Sequence, residues 1–299
     1  MHINPIGIDP LDNELLRRKK VQLDILRLDE IHPVVSGNKW FKLQYYLIDA
    51  TEKGYDSLLT FGGAYSNHIV ATAYAARQYG FKATGIIRGE APKIWSPTLL
   101  EATALGMELI FLPRKIFGTL KRNDFPEELE QRFGKHYIIP EGGYGKPGVR
   151  GAQEIMDTIK PRYYTHFVAA VGTGTTLTGI LQSSKNDQQV VGISAMKNNH
   201  GLEAEIRHLY EKPLPERFYL FHDYHFDGFA KCNEALISFI NTFYLNSSVP
   251  LDFVYTAKMM YGALDLVKKG FFPAGSSILT IHSGGLQGNR SLKEGLLRF

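Results

Sequence analysis

Cysteine is almost absent from this chain of 299 residues: Cys232 stands alone. A single thiol can build neither an internal disulfide nor a cysteine-based zinc site. Long apolar runs are missing as well. No stretch reaches about 18 apolar residues, which excludes an ordinary membrane-spanning helix. The opening Met1-His2-Ile3-Asn4-Pro5 lacks the basic-then-apolar pattern of a secretory signal. Charge of one sign is not in large excess: 34 Lys and Arg face 30 Asp and Glu, a net +4 with no basic block to follow a nucleic-acid backbone. These absences predict a soluble, cytoplasmic, globular protein with neither nucleic acid nor membrane as partner. What is present suits that reading, since 44% hydrophobic and 21% charged residues suffice for a sizeable core. The 29 glycines exceed the usual share of about 7% and point to many tight turns. The length fits one large domain or two closely joined ones.

Short apolar runs alternate with amphipathic stretches from end to end. Strands are predicted over Ser57–Phe61, Ala83–Arg88, Glu108–Leu112, His136–Ile139, Thr165–Val171, Gln189–Ser194, Phe218–Phe221 and Ser277–Ile281. Helices are predicted over Trp40–Lys53, Ser66–Tyr79, Pro97–Leu105, Val149–Ile159, Gly174–Ser183, Gly201–Leu209, Asn233–Tyr244 and Thr256–Lys269. Strands separated by helices imply an α/β fold with parallel sheets and right-handed crossovers. Three strands end in Gly-rich turns that open helices or loops: Gly62-Gly63-Ala64-Tyr65-Ser66-Asn67-His68, Gly172-Thr173-Gly174-Thr175-Thr176 and His282-Ser283-Gly284-Gly285. Ligands of open α/β sheets collect at the carboxyl ends of strands, where such loops lie.

Each of these turns has a chemical and a bland reading. The Gly172–Thr176 loop can cradle a phosphate with N–H groups and hydroxyls, or simply cap a helix. It is neither the dinucleotide fingerprint, because Leu177 stands where a glycine is needed, nor a P-loop, which disfavours a nicotinamide dehydrogenase. Lys39 and Lys42 lie one turn apart in Ser36-Gly37-Asn38-Lys39-Trp40-Phe41-Lys42-Leu43. At a helix N-terminus a lysine loses some preference for its charged form, as a Schiff-base lysine must; the bland alternative is a solvated pair. Ser66, Asn67 and His68 can cap a helix or bind ligand oxygens, and Thr256 after Tyr255 is well placed as an ordinary cap. His222-Asp223-Tyr224-His225-Phe226-Asp227 lacks a third fixed metal ligand and reads as a loop; no metal is expected.

The order of these pieces, together with Tyr255-Thr256-Ala257-Lys258, resembles the pyridoxal-phosphate (PLP) enzymes of the 1-aminocyclopropane-1-carboxylate (ACC) deaminase and D-cysteine desulfhydrase family. Those enzymes have the tryptophan-synthase-β-like fold, fold type II, and the resemblance runs from about Leu26 to Gly285. It implies two three-layer α/β domains with the cofactor in the cleft between them. The larger would comprise residues 1–44 and 144–299, and the smaller, residues 45–143, would be inserted between those parts. It further implies Lys39 as the Schiff-base lysine, with Lys42 and Gly172, Thr173, Gly174, Thr175 and Thr176 around the phosphate. Asn67 would meet the phenolic oxygen, Thr256 would face the pyridine nitrogen, and Ser283 would also bind the cofactor. Ser66, Asn67 and His68 would receive the substrate, and Ser66 and Tyr255 would join Lys39 in catalysis.

The chain departs from the family in ways that bear on substrate. The deaminase has Glu where Thr256 stands, while the D-cysteine desulfhydrases have Thr; a second family tyrosine is Phe229 here, for which Tyr224 or Tyr144 could substitute; and His-Thr-Gly-Gly becomes His282-Ser283-Gly284-Gly285. The chain is also somewhat short, with trimmed loops. The resemblance thus implies a homodimeric lyase or deaminase that turns a small amino acid into a 2-oxo acid and ammonia, most like D-cysteine desulfhydrase. ACC ring opening, racemisation and a non-catalytic PLP-binding protein are the alternatives.

Overall fold

The computed structural model describes residues 3–120 and 126–299. In chain order its elements are β1 (Ile8–Leu11), α1 (Glu14–Lys19), β2 (Gln22–Arg27), α2 (Asn38–Glu52), β3 (Ser57–Gly62), α3 (Asn67–Tyr79), β4 (Lys82–Arg88), α4 (Pro97–Ala104), β5 (Met107–Leu112), α5 (Arg114–Leu120), α6 (Pro126–Phe133), β6 (Tyr137–Ile139), α7 (Lys146–Gln153), β7 (His166–Val171), α8 (Thr175–Ser183), β8 (Gln189–Ser194), α9 (Leu202–Tyr210), β9 (Phe218–Phe221), α10 (Glu234–Ser247), α11 (Thr256–Lys269) and β10 (Ser277–His282). They form two sheets, one ordered β1-β2-β10-β7-β8-β9 and the other β5-β4-β3-β6. Only the β1–β2 pair is antiparallel; the other pairs run parallel. The larger sheet thus takes strands from both ends of the chain and the smaller one from its middle, and α2 carries the chain across without a break at residue 44.

Helices cover both faces of each sheet, which is why the strands read as continuous apolar runs. Along β7, Val168 packs with Met259, Met260 and Ala263 of α11. Its neighbours Phe167 and Ala169 face the other way, onto Leu177, Ile180 and Leu181 of α8. In β3 the same alternation sends Leu58 to the α3 side and Leu59 and Phe61 toward Phe117 of α5.

Every predicted strand and helix is present, with ends shifted by a few residues. β1, α1, β2, α5 and α6 were not foreseen. β2 escapes a search for apolar runs because Asp24 interrupts it; there Tyr164 donates to the Asp24 carboxylate at 2.8 Å. The helix predicted over Val149–Ile159 begins earlier, at Lys146, with Pro147 in its first turn, and gives way to a 3-10 turn over Glu154–Asp157.

Candidate active site

The carboxyl ends of β3, β7 and β10 converge, and the turns that follow them build one cleft. The Lys39 turn is docked onto the β10 turn: the Asn38 N–H donates to Ser283 O at 3.2 Å and the Gly37 N–H to Leu28 O at 2.8 Å. Gly37 sits at φ +70°, and a Cβ there would lie 1.9 Å from Ser283 O, so only glycine permits this approach. Beneath, His282 Nε2 donates to Pro250 O at 2.7 Å and its Nδ1 lies 3.1 Å from Asp29 Oδ1. Arg27 grips the Asp29 carboxylate with two bonds, at 3.0 and 2.8 Å, and so fixes the floor of the turn.

Lys39 Nζ donates to Asn38 Oδ1 at 3.0 Å, and Asn38 Nδ2 donates in turn to Thr176 Oγ1 at 2.8 Å, which ties the lysine to the β7 loop. Burial brings the Lys39 amine down to about 8, against the opposing pull of the Asp252 carboxylate. Desolvation thus brings this amine closer to its neutral form. Lys42 is more deeply buried and makes no hydrogen bond or ion pair with the described residues. Burial first, and then the charge of Lys39, depresses its pKa well below the ordinary lysine value. A buried ammonium with no protein partner calls for an anion.

That anion has a receptor beside it. Helix α8 starts at Thr175 with Gly174 as N-cap and no side-chain cap, so its first N–H groups stay open. Thr173 and Thr175 hydroxyls lie 3.1 Å apart in the same loop. Tyr255 lies close over Gly172: an added Cβ would sit 3.1 Å from Tyr255 Cε1, so a side chain there would crowd the phenol ring.

On the opposite wall, Ser66 is the N-cap residue of α3 but makes no side-chain cap, so the capping reading of this hydroxyl fails. The Ser66 N–H is taken by Gly63 O at 3.0 Å, which narrows the expected Ser66–His68 backbone cradle to Asn67 and His68. Thr60 gives its hydroxyl hydrogen to Ile139 O at 2.8 Å and faces His68 Nε2 at 2.8 Å, so Nε2 carries the imidazole proton. Burial, then Lys39 and Lys42, push the His68 pKa well below its ordinary value and keep the ring neutral. Asn67 Oδ1 and His68 Nδ1 are buried with no hydrogen-bond partner among the described residues.

Three features of the third wall differ from expectation. Thr256 is neither the helix cap nor open to the cleft. It is fully buried, and its hydroxyl donates to Asp252 Oδ1 at 2.7 Å and accepts from the Asp252 N–H at 2.8 Å. Asp252 itself, unnoticed in the sequence, is the real cap: its carboxylate takes the N–H groups of Val254, Tyr255 and Thr256 at 2.8, 2.9 and 2.9 Å. The signal was there in an Asp four residues ahead of the helix start. Ser283, by contrast, has a hydroxyl that no described residue engages. The Tyr224 and Tyr144 hydroxyls are committed to Asp265 and Glu205. Phe229 stands edge-on to Tyr255, with ring centroids 5.8 Å apart. Burial and the Asp252 and Glu141 carboxylates raise the Tyr255 phenol, which therefore stays protonated at neutral pH.

A family model for pyridoxal-phosphate dependent enzymes matches residues 12–284. The chain belongs to this family. It is 33% identical over 276 residues, 85% of this chain and 81% of the relative, to a Pyrococcus abyssi protein provisionally assigned as 1-aminocyclopropane-1-carboxylate deaminase. The 1-aminocyclopropane-1-carboxylate deaminase of Bradyrhizobium sp. strain BTAi1 is 27% identical over 290 residues, covering 84% of this chain and 82% of that one. A crystal structure of an ACC deaminase homologue superposes with a TM-score of 0.82 at 30% identity, over 96% of this chain and 91% of the other. The cofactor of the family is pyridoxal phosphate, and the site fits it. The partnerless buried Lys42, the uncapped α8 N-terminus and the orphaned Asn67 Oδ1 are where a phosphate and a polar ring substituent would be satisfied. Among the described residues no group of three His, Cys, Asp or Glu side chains could hold a metal ion, and no helix is long and apolar enough to cross a membrane.

Proposed function

We propose that this ACC-deaminase-like lyase acts by β-elimination on D-cysteine or a similarly small amino acid and releases a 2-oxo acid and ammonia. The observation that carries this reading is the hydrogen bonding of the third wall. The Asp252 carboxylate is engaged by three N–H groups and the Thr256 hydroxyl, and the neutral Ser283 hydroxyl has no bond to a described residue. When bound, the cofactor supplies an electron sink for the substrate's α-carbon. A neutral hydroxyl supports a protonated pyridine ring less than a free carboxylate would. A weaker sink suffices to expel thiolate, but breaking a ring carbon–carbon bond demands more.

In this reading Lys39 would hold the cofactor, and its amine would take the proton from the substrate's α-carbon. An amine with a pKa near 8 can accept a proton close to neutral pH. Lys42, the open α8 N–H groups and the hydroxyls of Thr173, Thr175 and Thr176 hold the phosphate. The Asn67 and His68 N–H groups receive the substrate carboxylate, and the Asn67 side chain meets the cofactor's oxygen. Ser66 faces the substrate, and the protonated Tyr255 phenol serves as a proton donor. ACC ring opening is the second reading, supported by the activity for which the relatives are named. Steady-state assays of 2-oxo acid formation from D-cysteine and ACC decide between them: efficient ACC turnover with D-cysteine inert overturns the first reading.

A further inference from the structure

Lys258, in the first turn of α11, takes no part in the chemistry above, yet it is fully buried. Its ammonium is bonded to backbone carbonyls, Gly228 O at 2.7 Å and, more weakly, Ala195 O at 3.4 Å. A buried ammonium is costlier than an apolar side chain of the same length, so filling space does not account for it. What a lysine offers here, and a methionine would not, is a tie between two loops. Ala195 follows β8 and Gly228 follows β9, and both loops leave the carboxyl ends of their strands, the side on which Tyr255 stands. The loops pack closely, since a Cβ added at Gly228 would lie 3.4 Å from Lys197 Cβ.

The second loop cannot hold its shape on local preferences. Phe226, Asp227, Gly228 and Ala230 have φ of 45°, 68°, 121° and 53°, and three of these are not glycine. Residues in that region persist when their surroundings fix them. Phe229, in the middle of this stretch, is 42% exposed and sets its edge against the Tyr255 ring. We propose that Lys258 is a positioning residue: through Gly228 O it holds the Phe226–Ala230 loop, so that Phe229 stands against Tyr255 and limits the size of the substrate side chain. This rests on the lyase reading, since Phe229 can select only what the cleft converts.

The test compares the parent, Lys258→Met and Phe229→Ala, each loaded with cofactor. One readout is the ratio of kcat/KM for S-benzylcysteine to that for cysteine, in both D and L series. The other is hydrogen exchange at the amides of Gly228 and Lys231, which bond His225 O and Gly228 O in the parent. Both variants should raise the ratio in the same direction by roughly tenfold, and Lys258→Met should also speed exchange at those two amides. An unchanged ratio in either variant, or unchanged exchange in Lys258→Met, overturns the proposal. A Lys258→Met chain that fails to fold overturns it too, by making the lysine a folding determinant. If the parent converts no amino acid, the lyase reading fails, and exchange alone decides whether the lysine ties the loop.

Discussion

Lys39 is the residue on which the proposed chemistry turns, and its lowered pKa is also a statement about stability. Its folded value of about 8 lies below the ordinary 10.5, so between those two values the unfolded chain binds more protons than the folded one. The burden on the apo fold is therefore full below about pH 8 and is relieved as pH climbs toward 10.5. Denaturant unfolding of the apo protein should show Lys39→Met more stable than the parent at pH 7, with the gap closing from pH 8 upward. A gap constant with pH would mean the amine is not desolvated. Ser283 invites a second test: Ser283→Ala should slow turnover, while Thr256→Val should mainly lower stability, because its hydroxyl serves Asp252. Equal catalytic losses without loss of stability in Thr256→Val would contradict that division. These roles mark the limit of what the chain reveals when read linearly. Lys39, Lys42 and the Gly172–Thr176 loop could be singled out in the sequence because local turns carry them. The bond from Thr256 to Asp252 and the tie from Lys258 to Gly228 were not, since each depends on how distant or irregular backbone is placed.

Among the elements, the β7–α8 turn has the sharpest consequence. In the proposed reading an uncapped helix start, two paired threonine hydroxyls and a buried lysine would together receive an anion. Thr173→Val or Thr175→Val removes one donor to a charged group and should weaken PLP binding about tenfold to a hundredfold, read by titration of the apo protein. Unchanged affinity in both would show that these hydroxyls merely pair with each other. The strands and helices themselves were largely visible, because burial on both faces leaves unbroken apolar runs such as Phe167-Val168-Ala169-Ala170-Val171. Where a strand such as β2 is interrupted by Asp24, or where a helix is short and polar like α6, the pattern is lost and so was the element.

At the scale of the whole molecule, two sheets present their carboxyl ends to a common cleft, and no single segment owns the site. Lys39 and Lys42 come from α2, Ser66 to His68 from the β3 turn, Thr173 to Thr176 from the β7 turn, and Tyr255 from the start of α11. A ligand bound by both sheets and by no unfolded chain should raise the midpoint of thermal unfolding with its concentration. The most direct test of the central claim is borohydride reduction of the PLP-loaded protein followed by peptide mass mapping. The stable pyridoxyl label should appear on Lys39, and Lys39→Ala should abolish it. A label on Lys42, or on no lysine, would contradict the assignment and with it the chemistry built on this cleft.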